Sequence, residues 1–106
     1  MEDRIAKLLH EFREGLERIY GPRLRGVYLF GSYARGEADE ESDMDVLVVL
    51  DDFERYGEEV VRTGQLGADL SLRHDVSLTQ VFLRARDWAH GDSAFLTNVR
   101  EEAVPA

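Results

Sequence analysis

The sequence predicts a small α/β or α+β domain in which helices pack against one sheet. The chain of 106 residues has the size of a single domain, and 43% of its residues are hydrophobic, which is enough for a modest core. Segments of helical and strand character follow one another in the order helix, strand, strand, helix, strand, helix. This order is typical of a sheet covered by helices. We find no repeat, linker or second domain, so residues 1–106 are treated as one domain.

The first half of the chain supplies one helix and two strands. Apolar residues at helical spacing predict an amphipathic helix over about Glu2 to Tyr20, which Gly21 and Pro22 end. The short apolar run RGVYLFG predicts a strand that ends at Gly31. The turn-rich connector SYARGEADEES follows, with one helical turn starting at Ser32. The run DMDVLVVLDD has apolar residues on both faces, so we expect it to form a central strand.

The second half adds helices and a third strand. The segment FERYGEEVVRTGQLGADLSLRH has helical character, which we expect Gly57, Gly64 and Gly67 to break or loosen. The alternating run DVSLTQVFL predicts the third strand. The remainder, ARDWAHGDSAFLTNVREEA, predicts short helical pieces, with Asp92 or Ser93 as the N-cap of the last one.

Charge and composition exclude several classes of protein. The 22 acidic and 13 basic residues give a net charge of −9, so broad nucleic-acid binding is not expected. The chain has no cysteine, which excludes disulfides and thiolate metal sites. No apolar run is long enough to span a bilayer, and the start MEDRIAKLLHEF does not have the pattern of a signal peptide. We therefore expect a cytoplasmic protein without a membrane partner.

Two acidic residues at the mouth of the central strand are candidate metal ligands. Asp43 and Asp45 are two positions apart, so in a strand both carboxylates point to the same face. Two negative charges at such a short distance raise the pKa of one carboxyl group or recruit a cation. Mg²⁺ is usually held by one or two carboxylates, with waters and substrate phosphates completing the shell. The alternative is a solvated pair at a strand start, and the buried character of the following run favours the metal site.

The turn before the connector is a candidate phosphate site. Glycine at Gly31 allows a sharp turn and a close approach of an anion to the backbone. Ser32 can cap the helical turn, where exposed amides favour phosphate. Arg35 could contact a phosphate or pair with a local acid such as Glu37. The alternative for Gly31 and Ser32 is an ordinary junction between a strand and a turn.

The two candidate sites together carry a family resemblance. A strand that ends in Gly31-Ser32, ten intervening residues, and a strand opened by Asp43 and Asp45 resemble the signature of the DNA polymerase β-like nucleotidyltransferase superfamily. The motifs GSYARG and SDMDVLVV are most similar to the minimal nucleotidyltransferases, and the resemblance covers nearly the whole chain. It implies a small mixed sheet with helices packed against it. It also implies transfer of a nucleoside monophosphate from a triphosphate to a hydroxyl, with release of pyrophosphate.

The resemblance also implies roles for particular residues. Gly31 and Ser32 would hold the triphosphate, and Asp43 and Asp45 would bind Mg²⁺. Arg35 is added as a candidate nucleotide-binding residue from its place in the same turn. The family has a third carboxylate on a neighbouring strand, and the candidate here is Asp75 at the start of DVSLTQVF, as a metal ligand and base. The rival, Asp69, falls in a helical stretch. Two Mg²⁺ ions could then stabilise both the attacking and the leaving oxygen.

The acceptor of the nucleotide is expected to lie on another chain, because this chain holds little beyond a catalytic core. Minimal nucleotidyltransferases resemble the antitoxins of pairs with HEPN-family toxins, which implies transfer of AMP from ATP to a toxin tyrosine. One alternative is a catalytically weak or inactive nucleotide-binding antitoxin that neutralises its partner by complex formation. Another is a small-molecule, aminoglycoside-like nucleotidyltransferase with an acceptor pocket at an oligomer interface. The protein could form a homo- or a hetero-oligomer.

Overall fold

A computed structural model describes residues 2–106, and these residues form five α-helices and one four-stranded sheet. The helices are α1 (Asp3–Tyr20), α2 (Ser32–Arg35), α3 (Tyr56–His74), α4 (Ala85–His90) and α5 (Ala94–Glu102). The strands are β1 (Leu24–Phe30), β2 (Met44–Leu50), β3 (Leu78–Arg84) and β4 (Val104–Pro105). The predicted order of elements is confirmed as far as α5, and the mixed α/β class is confirmed with it.

The sheet is mixed, with the strand order β3-β2-β1-β4. Strands β1 and β2 are antiparallel, so that Phe30 lies beside Asp45. Strands β2 and β3 are parallel, and the partner of Asp45 on β3 is Thr79. Asp45 therefore has one neighbour on each side, at the end of the sheet where β1 finishes and β2 and β3 begin.

Strand β2 is buried on both faces, which explains its continuous apolar run. Val46 and Val48 belong to a large core formed with α1 and α3. Leu47 and Val49 belong to a smaller core on the opposite face, formed with the α4–α5 region, where Val99 is buried. Successive side chains of a strand point to opposite faces of the sheet, so alternate residues of β2 enter the two different cores. Apolar residues are therefore needed at every position of the strand. The central-strand prediction is confirmed.

Helix α3 runs unbroken for 19 residues, so the expectation that its glycines break or loosen it is wrong. Gly67 faces the sheet, and a Cβ there would lie 2.6 Å from Nε2 of Gln80 on β3. The absence of a side chain therefore lets the helix approach the strand closely. Gly57 and Gly64 have open space around them and remain inside the helix. Packing of the apolar face outweighs the weak helix propensity of glycine.

The segment after α5 forms a short strand that the sequence does not predict. Val104 pairs with Leu29 and Pro105 with Tyr28, both on β1. Two residues, one of them a proline, carry no alternating pattern, and proline is found in sheets mainly at edges. Ser93 is confirmed as the N-cap of α5, because its hydroxyl oxygen accepts a hydrogen bond from the Leu96 N–H at 3.2 Å.

The long helices are amphipathic and pack on the sheet. Helices α1 and α3 contact each other and contribute Leu8, Phe12 and Leu70 to the larger core, among other residues. Of the helices within residues 2–106, none combines the length and the apolar character that crossing a membrane requires.

Candidate active site

Asp45 lies at the mouth of the sheet, half-buried beside β1 and β3. Burial raises the pKa of Asp45, and the negative charge of Asp43 raises it further, while the positive charge of Arg35 opposes the shift. Asp43 is exposed and directly precedes β2. The Asp45 carboxylate therefore lies close to a second negative charge, in a place that is partly shielded from water.

The Gly31-Ser32 turn is in direct contact with Asp45 of this pair. Gly31 has a φ of 75°, and a Cβ at this position would collide with Oδ2 of Asp45. Only glycine satisfies both the backbone conformation and the close approach. Ser32 then begins the short helix α2, in which the Arg35 N–H donates to the carbonyl of Gly31 at 3.1 Å. The two halves of the sequence motif therefore meet in space.

A cleft of about 670 Å³ opens at this junction. One wall is formed by Gly31, Ser32, Arg35 and Asp45, and the other by residues of α5. Asp43 is not among the residues that line this cleft. The cleft places backbone amides, a guanidinium group and a carboxylate around one space, which is the combination that binds a phosphate group together with a cation.

Glu102, the last residue of α5, belongs to this site and is not predicted from the sequence. Its Oε1 accepts a hydrogen bond from the Gly31 N–H at 3.0 Å, and its Oε2 accepts one from Nη1 of Arg35 at 2.9 Å. The Gly31 N–H, and next the Arg35 guanidinium, lower the pKa of Glu102. Arg35 also pairs with Glu37 at 3.0 Å, as one of its two sequence interpretations proposed.

One signal in the sequence could have pointed to Glu102. Glu101 and Glu102 are two acids in the last turn of a helix, where carboxylates oppose the helix dipole. A charged residue at a helix end that disfavours its charge often has a functional or structural partner in another part of the chain. The partner here, Gly31, is 71 positions away in the sequence, so the pattern alone could not identify it.

The structure does not bring Asp75 to the acidic pair. Asp75 is the C-cap of α3 in the left-handed conformation, with φ 53°, and the strand on which it was expected begins only at Leu78. Asp75 lines a different cleft of about 1090 Å³, next to Asp39 and Glu41. Within residues 2–106, no three acidic or histidine side chains come together as a group that could hold a metal. The placement of Asp75 at the start of β3 is therefore corrected.

The other candidate for a third carboxylate, Asp69, does not form a metal-binding group with the pair either, within residues 2–106. Asp69 lies on the exposed surface of α3, where its Oδ1 accepts a hydrogen bond from Nε2 of Gln65 at 2.7 Å. On β3, the position directly beside Asp45 is occupied by Thr79, which is exposed and uncharged. The pair Asp43 and Asp45 thus supplies two carboxylates, and a divalent cation held there would need further ligands from water or substrate.

The fold and the site define the class of the protein as a nucleotidyltransferase. A mixed sheet carries a glycine-serine turn at the end of one strand and an acidic pair at the start of the next, with the turn and Asp45 in contact. The chain belongs to the nucleotidyltransferase domain family, which it matches over residues 9–93. The family resemblance, the fold and the enzyme class predicted from the sequence are confirmed.

Two relatives are more than 30% identical to this chain over most of its length. "Putative protein adenylyltransferase MJ0141" of Methanocaldococcus jannaschii is 32% identical over 80 residues, which span 76% of this chain and 80% of that protein. "Protein adenylyltransferase MntA" of Thermococcus cleftensis is 36% identical over 74 residues, which span 70% of this chain and 73% of that protein.

Two solved structures share the fold at lower identity. A toxin–antitoxin complex with AMP-PNP contains a chain that matches with a TM-score of 0.60 and 22% identity, over 97% of this chain and 69% of that chain. A complex of the tri-AMPylated HEPN toxin of Shewanella oneidensis with its MNT antitoxin matches with a TM-score of 0.51 and 23% identity, over 97% of this chain and 66% of that chain.

Proposed function

We propose that this protein transfers AMP from ATP to a hydroxyl group of a partner protein in an Mg²⁺-dependent reaction. The observation that carries this proposal is the contact between Gly31 and Asp45, because it supports one site composed of the proposed phosphate turn and the proposed metal ligands. Family membership supports nucleotidyl transfer, and the names of the relatives support a protein as the acceptor.

The residues of the site have complementary tasks in this reaction. The backbone amide of Gly31, Ser32 and the guanidinium of Arg35 are proposed to bind and orient the triphosphate. Asp43 and Asp45 would hold Mg²⁺, and the close pair of carboxylates with a raised Asp45 pKa fits a group that a divalent cation would stabilise. Bound Mg²⁺ supplies charge neutralisation for the phosphates and for the leaving pyrophosphate.

The bond changes of the transfer are simple. The acceptor hydroxyl oxygen forms a bond to the α-phosphorus of ATP, and the bond from that phosphorus to the bridging oxygen of pyrophosphate breaks. The hydroxyl proton must pass to a base, for which we propose the exposed carboxylate of Asp43, two positions before Asp45. Half-buried Asp45 keeps the reacting groups aligned against the rigid strand β2.

The acceptor is proposed to be a tyrosine on a HEPN-type toxin, so that the protein acts as the antitoxin of the pair. This assignment is supported by the toxin–antitoxin complexes among the structures that share the fold. It also agrees with the charge of −9, which favours a partner with a basic surface over a nucleic acid.

A second candidate function is neutralisation of the partner by complex formation, with weak or no nucleotide transfer. The observation in its favour is Thr79, an uncharged residue on β3 directly beside Asp45, where a further carboxylate would complete an acidic triad. In this case the nucleotide site would be regulatory.

The two functions are distinguished by incubating the protein with its partner, Mg²⁺ and ATP labelled at the α-phosphate. We expect label on the partner with the wild type and a loss of at least about 100-fold with Asp45→Asn, since removal of a transition-state contact of this kind costs that much. Asp69→Asn is the matched control, because it removes the same charge from the exposed face of α3. Neutralisation that survives Asp43→Asn and Asp45→Asn without any labelling would establish the second function instead.

A further inference from the structure

We propose that Glu102 is a built-in competitor of the nucleotide: its carboxylate occupies the phosphate position of the Gly31 turn and must leave before a triphosphate can bind. This inference rests on the proposed function, because it assigns a mode of regulation to the same site. It makes the protein self-inhibited until nucleotide or a partner displaces the Glu102 side chain.

The hydrogen bonds of Glu102 are those that a phosphate group would make. One oxygen accepts from the backbone N–H of Gly31 at 3.0 Å and the other from the guanidinium of Arg35 at 2.9 Å. A carboxylate shared between a backbone amide and an arginine presents two charged acceptor oxygens to the donors that would otherwise bind phosphate oxygens. A phosphate at this turn and Glu102 therefore exclude each other.

The helix to which Glu102 belongs does not by itself favour a carboxylate at this position. Glu102 ends α5, where the helix dipole disfavours a negative charge. Its charge is compensated by two groups far away in sequence, the N–H of Gly31 and the guanidinium of Arg35 on α2, and its side chain is only 24% exposed. The contact holds the carboxylate in the ionised form, in which it resembles phosphate most closely.

The chain after Glu102 keeps this carboxylate at the site. Val104 pairs with Leu29 of β1, and the Ala106 N–H donates to the carbonyl of Val27 at 2.9 Å. Such tethering gives the carboxylate a high effective concentration. Strand β4 is only two residues long, however, so its local opening costs much less than unfolding the domain. Because this pairing is short, opening of β4 can release the Glu102 carboxylate from the site without unfolding the domain.

Removal of the competitor should tighten nucleotide binding. The apparent dissociation constant of a ligand rises in proportion to the inverse of the fraction of protein whose site is free. One partly exposed, charge-assisted contact corresponds to roughly a 3- to 30-fold change in that fraction. We therefore expect Glu102→Ala to bind the non-hydrolysable analogue AMP-PNP, with Mg²⁺, roughly 3- to 30-fold more tightly than the wild type.

The matched control is Glu101→Ala. Glu101 is the neighbouring residue, carries the same charge and lines the same cleft, and its substitution removes the same amount of negative charge. A general electrostatic effect would tighten binding equally in both variants. Calorimetric titration of the three proteins with AMP-PNP and Mg²⁺ separates the two cases, with affinity gained in Glu102→Ala and little changed in Glu101→Ala as the expected result.

A second measurement observes the contact itself. In ¹⁵N-labelled protein, we expect the amide resonance of Gly31 to shift in Glu102→Ala, and to remain in place in Glu101→Ala, because only the first substitution removes its acceptor. An unchanged Gly31 resonance in Glu102→Ala would show that the hydrogen bond is not formed in solution and would overturn the proposal.

The titration also distinguishes failure of this proposal from failure of the proposed function. Equal affinity of the wild type and Glu102→Ala overturns the competitor role and leaves the nucleotide site intact. Weaker binding by Glu102→Ala overturns it as well and makes Glu102 a residue that assists the nucleotide. Absence of AMP-PNP binding by all three proteins overturns both the competitor role and the proposed function.

Discussion

At the scale of single residues, Gly31 connects the two halves of the site. It has a φ of 75°, and a Cβ there would collide with Oδ2 of Asp45. We expect Gly31→Ala to displace the Asp45 carboxylate and to lower the rate of AMP transfer at least about 100-fold, as loss of transition-state alignment does. The rate at which the partner takes up label from ATP labelled at the α-phosphate measures this change.

The control for this substitution is Gly36→Ala. Gly36 has a similar φ of 73°, but a Cβ there would have open space around it. Both variants carry the backbone cost of an alanine at positive φ, about 1–3 kcal/mol. The cost is expected to be the larger at Gly31, whose ψ of −157° only glycine adopts readily, than at Gly36, whose ψ is 23°. A loss of transfer that is equal in the two variants would show that backbone strain, and not the contact with Asp45, explains the effect.

The glycine-serine turn and the acidic pair could be predicted as candidate site residues because they lie close together along the chain. The spacing of Gly31, Asp43 and Asp45 between two apolar runs carries the information, and the structure brings Gly31 and Asp45 into contact. Glu102 could not be found in this way, because its contact with Gly31 depends on the path of the chain through the five elements that separate Gly31 from α5. The sequence predicts the end of the helical segment at His74 correctly but not the start of β3, because the alternating run DVSLTQVFL does not show that Asp75, Val76 and Ser77 connect α3 to a strand that begins only at Leu78.

At the scale of elements, α1 and α3 are joined by a buried polar contact. The Tyr20 hydroxyl donates to Oε1 of Glu59 at 2.7 Å, and Nε of Arg62 donates to the same oxygen at 3.0 Å. Glu59 is only 3% exposed. Burial alone would raise the pKa of Glu59, but the hydrogen bonds from Tyr20 and Arg62 outweigh it and hold the pKa below its ordinary value of 4.5.

We expect Tyr20→Phe to lower the free energy of unfolding by about 1–2 kcal/mol at neutral pH, because it leaves a buried carboxylate with one partner fewer. A carboxyl group whose pKa is lowered in the folded state stabilises it above the ordinary pKa and loses this contribution as the pH falls. The difference between variant and wild type should therefore shrink as the pH falls below about 4.5.

Urea unfolding at a series of pH values measures this difference. The comparison variant is Tyr28→Phe, which removes a hydroxyl from the opposite face of the sheet, where the Tyr28 ring packs against that of Trp88. Its expected cost is under about 0.5 kcal/mol. A pH-independent effect of Tyr20→Phe, or an equal cost of the two substitutions, would contradict the assigned contact.

Helix α3 provides a second prediction at this scale, from its glycines. Gly64→Ala should stabilise the protein by about 0.5–1 kcal/mol, because the position is exposed and open while alanine is the better helix former. Gly67→Ala should gain less or lose stability, because its Cβ would push against Gln80. Thermal or urea unfolding measures both changes, and an equal gain at the two positions would contradict the close packing of α3 on β3.

The sequence predicts helices and strands well where one periodic face decides them, as in α1 and β2. It fails where tertiary packing outweighs local preference. Three glycines suggested a broken helix, but burial of one face of α3 keeps it continuous. Strand β4 exists only because β1 offers a free edge to Val104 and Pro105, and no local signal records that edge.

At the scale of the whole molecule, the acidic surplus determines how an anionic substrate can bind. With a net charge of −9, and with Asp43, Asp45 and Glu102 near the turn, ATP is repelled unless a cation intervenes. We expect a chelator such as EDTA to weaken AMP-PNP binding by at least about 30-fold. Calorimetric titration with and without Mg²⁺ measures this factor.

A high concentration of monovalent salt serves as the comparison for this prediction. Salt screens long-range repulsion but does not replace a coordinated ion, so it should restore only a small part of the lost affinity. Affinity that is the same with EDTA and with Mg²⁺ would contradict a metal bridge between the acidic pair and the triphosphate.

A crystal structure of the protein with AMP-PNP and Mg²⁺ would show the site directly. We expect the triphosphate to lie on the Gly31-Ser32 turn in place of the Glu102 carboxylate, with Mg²⁺ between its oxygens and those of Asp43 and Asp45. A nucleotide bound instead in the cleft beside Asp75, or a metal that does not contact Asp43 and Asp45, would contradict this expectation.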